Sequence, residues 1–172
     1  MSRRFSLSCA GASLAALLVA APAIAQEASA TFLSPDGTEL GTATLSEAAE
    51  GGVLVTLDVG GLPPSAWVAF HVHETGECDP ETDHESAGGH FNPDDSAHGY
   101  FAEGGPHAGD MPNQYVDGDG MLRAEVFNSY ITLAEGETSV MGRALMIHAD
   151  PDDYESQPTG DAGDRIACAV IE

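Results

Sequence analysis

The sequence predicts an all-β protein: a Greek-key barrel or sandwich of about eight strands with two long functional loops. Short segments rich in β-branched and apolar residues recur along residues 29–171, separated by glycine and proline turns. No stretch of residues 26–172 has the spacing of an amphipathic helix. Residues 74–118 and 149–164 are acidic, contain glycine and lack periodicity, which is typical of functional loops.

The first predicted strands form a hairpin, because residues 30–33 and 40–45 flank a Pro-Asp-Gly turn. Residues 52–59 are rich in β-branched residues and partly alternate in polarity, as in a half-buried strand. Residues 67–73 are the next predicted strand. After the first long loop, strand character returns in four segments: residues 121–127, 130–133, 144–148 and 166–171.

Residues 1–25 are predicted to be a cleaved signal peptide. Arg3 and Arg4 form a basic start, residues 14–20 form an apolar run, and Ala23-Ile24-Ala25 is a small-residue cleavage site. The run is too short to span a membrane, and a buried N-terminal helix is the alternative interpretation. We therefore expect an exported protein with a single domain at residues 26–172.

Export determines how the cysteines are interpreted. Cys9 falls inside the predicted signal, which leaves Cys78 and Cys168. In an oxidising compartment these two most simply form one disulfide, closing a loop of about 90 residues. Two free buried thiols are the alternative.

The net charge of the chain argues against nucleic acid and anionic membrane surfaces as partners. The sequence has no lysine, and removing Arg3 and Arg4 with the signal changes the formal charge from −23 to −25. Nucleic acid and anionic membrane surfaces would be repelled by such a protein.

All seven histidines lie between residues 71 and 148, and six of them are candidate metal ligands. His71 and His73 lie two residues apart on a predicted strand, so both side chains leave the same face. The pair suits one metal ion, although an exposed pair requires none. His148 ends an apolar strand and could add a third nitrogen.

A second group of candidate ligands follows in the first long loop: His90, His98, His107 and Asp110. Three nitrogens and one carboxylate oxygen make a closed tetrahedral zinc site, which is typical of structural zinc. A chance cluster of solvated histidines is the alternative. We predict that His90, in a loop bounded by glycine and proline, contacts both metals.

Six motifs cover nearly the whole chain after the signal: Phe70-His71-Val72-His73-Glu74, Gly89-His90-Phe91-Asn92-Pro93, His98-Gly99, His107-Ala108-Gly109-Asp110, Gly142-Arg143-Ala144-Leu145-Met146-Ile147-His148 and Gly163-Asp164-Arg165-Ile166-Ala167-Cys168. Together they resemble the copper/zinc superoxide dismutases. The short segment from His73 to Cys78 is similar to the bacterial exported branch, which implies a periplasmic location.

The resemblance implies two metal sites that share one ligand. The implied copper ligands are His71, His73, His90 and His148. The implied zinc ligands are His90, His98, His107 and Asp110, with His90 as the bridge.

The resemblance also assigns residues around the metals. Asp152 would link His71 to His98, and such outer contacts orient the rings of metal ligands. Arg165 would hold the anionic substrate beside the copper. The disulfide between Cys78 and Cys168 would tether the nearby loop.

The implied activity is the disproportionation of superoxide to dioxygen and hydrogen peroxide by a redox-cycling copper ion, bridged through a histidine to a structural zinc. A periplasmic copper-binding or copper-buffering protein without turnover is the alternative, and a structural barrel without metal is a third interpretation. Arg165, the zinc-type ligands and Asp152 favour the enzyme, because storage requires none of them. The family includes dimers and monomers, so a homodimer stays open.

The second loop lacks the lysines with which members of the resembled family steer superoxide. It contains six acidic residues instead: Asp150, Asp152, Asp153, Glu155, Asp161 and Asp164. We therefore expect a slow enzyme whose rate rises as salt screens the repulsion. His84 matches no ligand and is expected to be a solvated loop residue.

Overall fold

A computed structural model describes residues 26–172, and the regular structure of this part of the chain is almost all β. Its strands are β1 (Glu27–Leu33), β2 (Glu39–Glu47), β3 (Val53–Val59), β4 (Ala66–Val68), β5 (Phe70–His73), β6 (Gln114–Val116), β7 (Leu122–Asn128), β8 (Ala144–His148) and β9 (Arg165–Val170). Two single 3₁₀ turns, Pro80–Thr82 and Glu85–Ala87, lie in the first long loop. The predicted signal peptide lies outside the described residues.

Seven strands form one curled antiparallel sheet in the order β5-β8-β9-β1-β2-β3-β7, and β4 pairs with β6 in a separate ribbon. The ribbon connects the two edges of the sheet, because β4 runs into β5 through Ala69 alone and β6 lies against β7. Non-consecutive neighbours such as β3 with β7 and β5 with β8 give the Greek-key order. The all-β prediction is confirmed, and the expected eight strands are obtained when β4 and β5 count as one interrupted strand.

The core of the barrel follows from alternation along the strands. In β3 the side chains of Val53, Val55, Leu57 and Val59 are buried, while the residues between them are partly or fully exposed. A strand with one apolar face can bury that face only against the inside of the curled sheet. Burial of each such side chain contributes about 1.5 to 3 kcal/mol to stability.

Strand β5 differs because both of its faces are buried. Phe70 and Val72 point into the apolar core, whereas His71 and His73 leave the opposite face and are buried as well. The predicted common face of the two histidines is therefore confirmed. The long loops cover this face, so the imidazoles lie between the barrel wall and the loops.

The disulfide between Cys78 and Cys168 is present and joins the first long loop to β9, with the two Cα atoms 5.5 Å apart. Around it lies a small apolar cluster of Ala87, Ala144 and Met146 on the outer side of β8 and β9. The bridge and this cluster hold the loop against the barrel near His73.

Two predictions about strands were wrong. Residues 130–133 make only an isolated bridge between Thr132 and Ser139, because the Glu47 carboxylate accepts hydrogen bonds from the Thr132 hydroxyl and the Leu133 amide in place of a neighbouring strand. The ribbon strand β6 was missed inside the first loop. Its three residues are too few for a periodic pattern.

In the part of the chain that the structure covers, none of the helical segments has the length and apolar character needed to cross a bilayer.

Removing the disulfide is expected to lower stability without changing the fold. The double substitution Cys78→Ser, Cys168→Ser releases a loop spanning 90 residues. The loop-closure entropy regained by the unfolded chain should lower the free energy of unfolding by about 4 to 5 kcal/mol. Chemical denaturation of the metal-loaded double variant and of the parent protein measures the difference. A difference below about 1 kcal/mol would contradict this assignment of stability to the bridge.

Candidate metal centre

Two groups of ligating side chains meet under the loops and share one residue. The first group is His71, His73, His90 and His148, and the second is His90, His98, His107 and Asp110. Within each group the ligand atoms lie within 4.8 Å of one another, and every member is buried. These are the two groups that the sequence predicted, with His90 in both.

Strand pairing explains why distant residues meet here. On one edge β5 pairs with β8, which brings His148 beside His71 and His73. On its other edge β5 makes isolated bridges to the loop, His71 with Asp110 and His73 with His90. The two metal groups are thus assembled on the two edges of a single short strand.

A close backbone approach holds the loop in that position. The Val72 amide donates to the carbonyl of Gly109 at 2.8 Å, and the Gly109 amide donates to the carbonyl of Phe91 at 2.8 Å. A side chain at position 109 would collide with the carbonyl oxygen of Val72. The Arg143 guanidinium lies 3.7 Å above the ring of Phe91, so the residue after His90 is packed on both sides.

Hydrogen bonds decide which imidazole nitrogens remain available in the first group. His73 donates from Nδ1 to the carbonyl of Gly88 at 2.9 Å, and His148 donates from Nδ1 to the carbonyl of Gly163 at 3.3 Å. A carbonyl only accepts, so each Nδ1 carries the hydrogen and each Nε2 keeps its lone pair. These two Nε2 atoms lie 3.3 Å apart and face each other.

In the second group three imidazoles converge on one carboxylate. The Nδ1 atoms of His90, His98 and His107 lie 3.0, 3.1 and 3.3 Å from Oδ1 of Asp110. The other oxygen, Oδ2, accepts from the backbone amides of Gly99 and His107 at 2.9 and 3.0 Å. The carboxylate is therefore oriented by the backbone, with Oδ1 left for the centre of the group.

The Asp152 carboxylate lies between the two groups. Its Oδ2 is 2.8 Å from Nε2 of His71 and its Oδ1 is 3.0 Å from Nε2 of His98. Paired hydrogen bonds with Asn113 hold its backbone, each of them 2.8 Å long. Since Nε2 of both rings faces Asp152, Nδ1 of His71 is directed to the first group and Nδ1 of His98 to the second.

Burial keeps most of these imidazoles neutral. It lowers the pKa of His73 well below the ordinary value, and the neighbouring His90 adds to the effect. Burial together with His71 lowers the pKa of His90 to about 4 and that of His148 to about 3. A neutral imidazole offers a lone pair to a metal ion, so the first group is ready to ligate at neutral pH.

His98 has the opposite shift. Burial acts to lower its pKa, but hydrogen bonds to Asp110 and Asp152 raise it to about 9. Burial also acts against ionisation of Asp110, yet the adjacent imidazoles of His107, His90 and His98 hold its pKa far below the ordinary value. The carboxylates of Asp110 and Asp152 on either side of the His98 ring therefore favour positive charge at this position.

The donor set fits the two metals that the groups suggest. Three ligand nitrogens are buried without a hydrogen-bond partner: Nδ1 of His71, Nε2 of His90 and Nδ1 of His107. A buried polar atom without a partner costs about 1 to 3 kcal/mol, and coordination of a metal ion removes that cost. All-imidazole ligation suits copper, and three imidazoles with one carboxylate suit zinc.

Arg165 lies at the mouth of the first group. Its Nη1 donates to the carbonyl of His84 and its Nη2 donates to the carbonyl of Gly88, both at 2.8 Å. Nη2 also lies 3.4 Å from Oε2 of Glu85. Arg165 lines a cavity of about 590 Å³ together with His73 and His148, which we call the entrance cavity.

The acidic residues of the entrance cavity are Asp83, Glu85 and Asp164. Of the six acids that the sequence placed near the site, only Asp164 lines this cavity, and Asp152 is buried between the metal groups. The other four acids of the second loop do not line the cavity. Asp83 and Glu85 come from the first loop, and no sequence pattern indicated that they would reach Arg165.

His84 is not a solvated loop residue, so that prediction was also wrong. Its side chain is buried, burial lowers its pKa, and neither ring nitrogen has a hydrogen-bond partner. Its backbone is in the left-handed region with φ at 63°. This conformation directs its carbonyl to Arg165, which makes His84 part of the support of the guanidinium.

Gly88 is a functional residue that the sequence analysis missed. Its carbonyl accepts from both His73 and Arg165, so one backbone oxygen orients a metal-group imidazole and the guanidinium together. The only available signal was the Gly88-Gly89 pair before His90. Backbone acceptors carry no residue-type signature, which is why a search for polar side chains does not find them.

Two buried ligand groups that share an imidazole, one of them adjoining the entrance cavity, indicate a two-metal protein on a Greek-key barrel. The model of the family described as "Copper/zinc superoxide dismutase (SODC)" matches residues 39–171. A "Superoxide dismutase [Cu-Zn] 2" of Aquifex aeolicus (strain VF5) is 50% identical over 149 residues, covering 84% of this chain and 86% of the relative.

Solved structures agree with this match. A SOD-like protein from Bacillus subtilis superimposes with a TM-score of 0.80 at 32% identity, covering 84% of this chain and 97% of that one. The Cu/Zn superoxide dismutase from Brucella abortus gives 0.71 at 31% identity, covering 86% and 100%. The chain belongs to the copper/zinc superoxide dismutase family, and its function is the disproportionation of superoxide with copper and zinc as cofactors.

Gly160→Ala is expected to disrupt both metal groups at once. The added Cβ would overlap Oδ1 of Asp152 and lie 2.6 Å from Nε2 of His98, so Asp152 must leave its position between the rings. Loss of such an outer contact typically weakens metal binding by about 10- to 100-fold. Competition titration with a chelator measures the zinc and copper affinities.

Gly104→Ala is the matched control for this substitution. Gly104 has a similar left-handed backbone, with φ at 83° against 69° for Gly160, but a Cβ there meets nothing within 4 Å. Equal losses of metal affinity in both variants would show that backbone strain, and not the position of Asp152, causes the effect.

Proposed function

We propose that the first group holds the catalytic copper and the second holds the structural zinc. The copper ligands would be His71, His73, His90 and His148. The zinc ligands would be His90, His98, His107 and Asp110. The observation that carries the proposal is the pair of buried, unpartnered nitrogens, Nδ1 of His71 and Nε2 of His90.

His90 is the proposed bridge between the metals. Its Nδ1 lies 3.0 Å from Asp110 in the zinc group, while its Nε2 has no partner and belongs by elimination to the copper group. The ring centroid of His90 is 4.0 Å from that of His71. When bound, copper supplies the one-electron couple that oxidises one superoxide to dioxygen and reduces the next to hydrogen peroxide.

Nε2 of His90 is proposed to hold one of the two protons that reduction of the second superoxide to hydrogen peroxide requires, and water would supply the other. Its surroundings support this role, because the atom is buried and has no competing acceptor. The Nδ1 side of the ring stays with Asp110 and keeps the imidazole in place as the proton is gained or lost at Nε2.

Arg165 is proposed to bind and orient the anionic substrate. An arginine guanidinium carries a permanent positive charge. That of Arg165 donates hydrogen bonds to two carbonyls, and its side chain is only 14% exposed. The disulfide-tethered loop supplies both carbonyls, so loop position and guanidinium position are coupled. Asp152 has a positioning role in the proposal, since it orients His71 and His98 without facing the substrate.

The proposed location is the periplasm, after removal of residues 1–25. The basic, apolar and small-residue parts of this segment support export. The disulfide is typical of oxidising compartments. The formal charge of −23 argues against nucleic acid and anionic membranes as partners.

The proposed assembly is a homodimer. Trp67 and Tyr115 are exposed on the β4–β6 ribbon with ring centroids 5.3 Å apart, and they are the candidate contact between copies. Light scattering of the exported form gives the mass directly.

Two substitutions separate turnover from metal binding. Arg165→Ala should retain full copper and zinc while kcat/KM for superoxide falls by about 10- to 100-fold, because the local attraction is lost. His148→Ala should lose copper and retain zinc, because its ring belongs only to the copper group. Metal analysis and superoxide decay are measured on both variants and on the parent. Full metal content with no turnover in the parent protein would favour a copper-buffering protein instead.

Salt is expected to accelerate this enzyme. The screening length falls from about 30 Å at 10 mM salt to about 8 Å at 150 mM, so the repulsion of superoxide by the acidic surface weakens. Superoxide decay is followed at both ionic strengths with the metals bound. A rate that falls as salt is added would show that Arg165 outweighs the surrounding acids.

A further inference from the structure

The charges of the entrance cavity suit a cation better than the anionic substrate. Three acidic residues, Asp83, Glu85 and Asp164, line the cavity together with one guanidinium, that of Arg165. We propose that this acidic mouth captures copper ions and delivers them to the four-histidine group during metal loading. The inference depends on the proposed assignment of that group to copper.

The acidic side chains lie on the path to the imidazoles. Asp83 and Glu85 come from the loop after β5, and Asp164 comes from the loop before β9, so the acids enter the mouth from two sides. His73 and His148 line the same cavity. An ion attracted by the carboxylates therefore reaches two candidate ligands without crossing another layer of protein.

The difference between the exposed carboxylates and the buried imidazoles favours movement of a copper ion inward. The carboxylates are exposed, with the Glu85 side chain at 73%, so they attract a cation without enclosing it. The imidazoles below are buried, and Nδ1 of His71 and Nε2 of His90 have no hydrogen-bond partner. Imidazole is a better copper ligand than an exposed carboxylate, so the ion is bound more strongly at the bottom of the cavity than at its mouth.

The same charges act against the substrate. A divalent cation gains from three carboxylates, whereas superoxide is repelled by them. Glu85 also forms an ion pair with Arg165, and this pair neutralises part of the positive charge that would attract superoxide. Neutralising the mouth should therefore change copper capture and superoxide capture in opposite directions, and no general effect on folding does so.

The test compares two triple variants with equal changes in net charge. The mouth variant is Asp83→Asn, Glu85→Gln, Asp164→Asn. The matched control is Glu50→Gln, Glu125→Gln, Glu135→Gln, which removes three exposed acids that do not line the entrance cavity. Each full-length protein is stripped of metal, reloaded with zinc alone and mixed with copper(II) sulfate in a stopped-flow spectrometer. Copper binding is followed by visible absorption at 10 mM and 150 mM salt.

The mouth variant should take up copper about tenfold more slowly than the control variant at 10 mM salt, within the range typical of electrostatic steering. The difference should shrink at 150 mM, where charges are screened beyond about 8 Å. After copper loading, its kcat/KM for superoxide should exceed that of the control. Unchanged zinc content in both variants verifies the fold.

Equal copper uptake rates in the two variants would overturn the inference and leave the proposed function intact. Failure of the parent protein to bind a full equivalent of copper would overturn the proposed function, and the inference with it. If copper uptake is slower than in the parent protein by the same factor in both variants, the whole acidic surface attracts the copper ion. That result would also overturn the local role of the mouth.

Discussion

Eight ionisable side chains are buried together between the barrel wall and the loops, and the surrounding structure is organised by the need to keep them there. They are six histidines, His71, His73, His90, His98, His107 and His148, and two aspartates, Asp110 and Asp152. Taking such groups out of water is costly unless each polar atom finds a partner. Backbone amides, backbone carbonyls and the two carboxylates satisfy most of these atoms. Those left unsatisfied include three candidate ligand nitrogens, so metal binding and stability are coupled.

The two carboxylates divide the work of positioning. Asp110 gathers three imidazoles around one oxygen, and its other oxygen is held by backbone amides. Asp152 uses one oxygen for each group and so determines which nitrogen of His71 and of His98 faces its ligand group. A protein that only had to store copper would gain nothing from this second arrangement. The geometry is therefore consistent with a centre in which ring orientation has to survive changes in the charge of the metal.

Substrate access follows a different constraint. The guanidinium of Arg165 is held by carbonyls of His84 and Gly88, in a loop that the disulfide ties to β9. The acids around it come from both long loops. The entrance cavity thus combines a local attraction for anions at Arg165 with a wider field that favours cations. The approach of a charged molecule to this site therefore depends on the balance between these two fields and not on the metal centre.

Several features could be predicted because they depend on local spacing. The strand pattern, the common face of His71 and His73 and the pairing of Cys78 with Cys168 all followed from the order of residues. The residues of each predicted ligand group also lie together in the structure. The failures have one cause. The burial of His84, the roles of Gly88, Asp83 and Glu85, and the loss of strand structure at residues 130–133 depend on what packs against them from distant parts of the chain.

The order of residues is enough to predict the ligand types, their spacing and the alternation that makes a barrel with two covered imidazole groups. Folding adds which nitrogen of each imidazole faces the ligand groups, which carbonyls hold Arg165 and which acids line the entrance cavity. The difference arises because ligand identity is a property of side chains. The orientation of the imidazole rings and the electrostatic field in the cavity depend on backbone acceptors and on distances. These are set only once the loops are folded against β5.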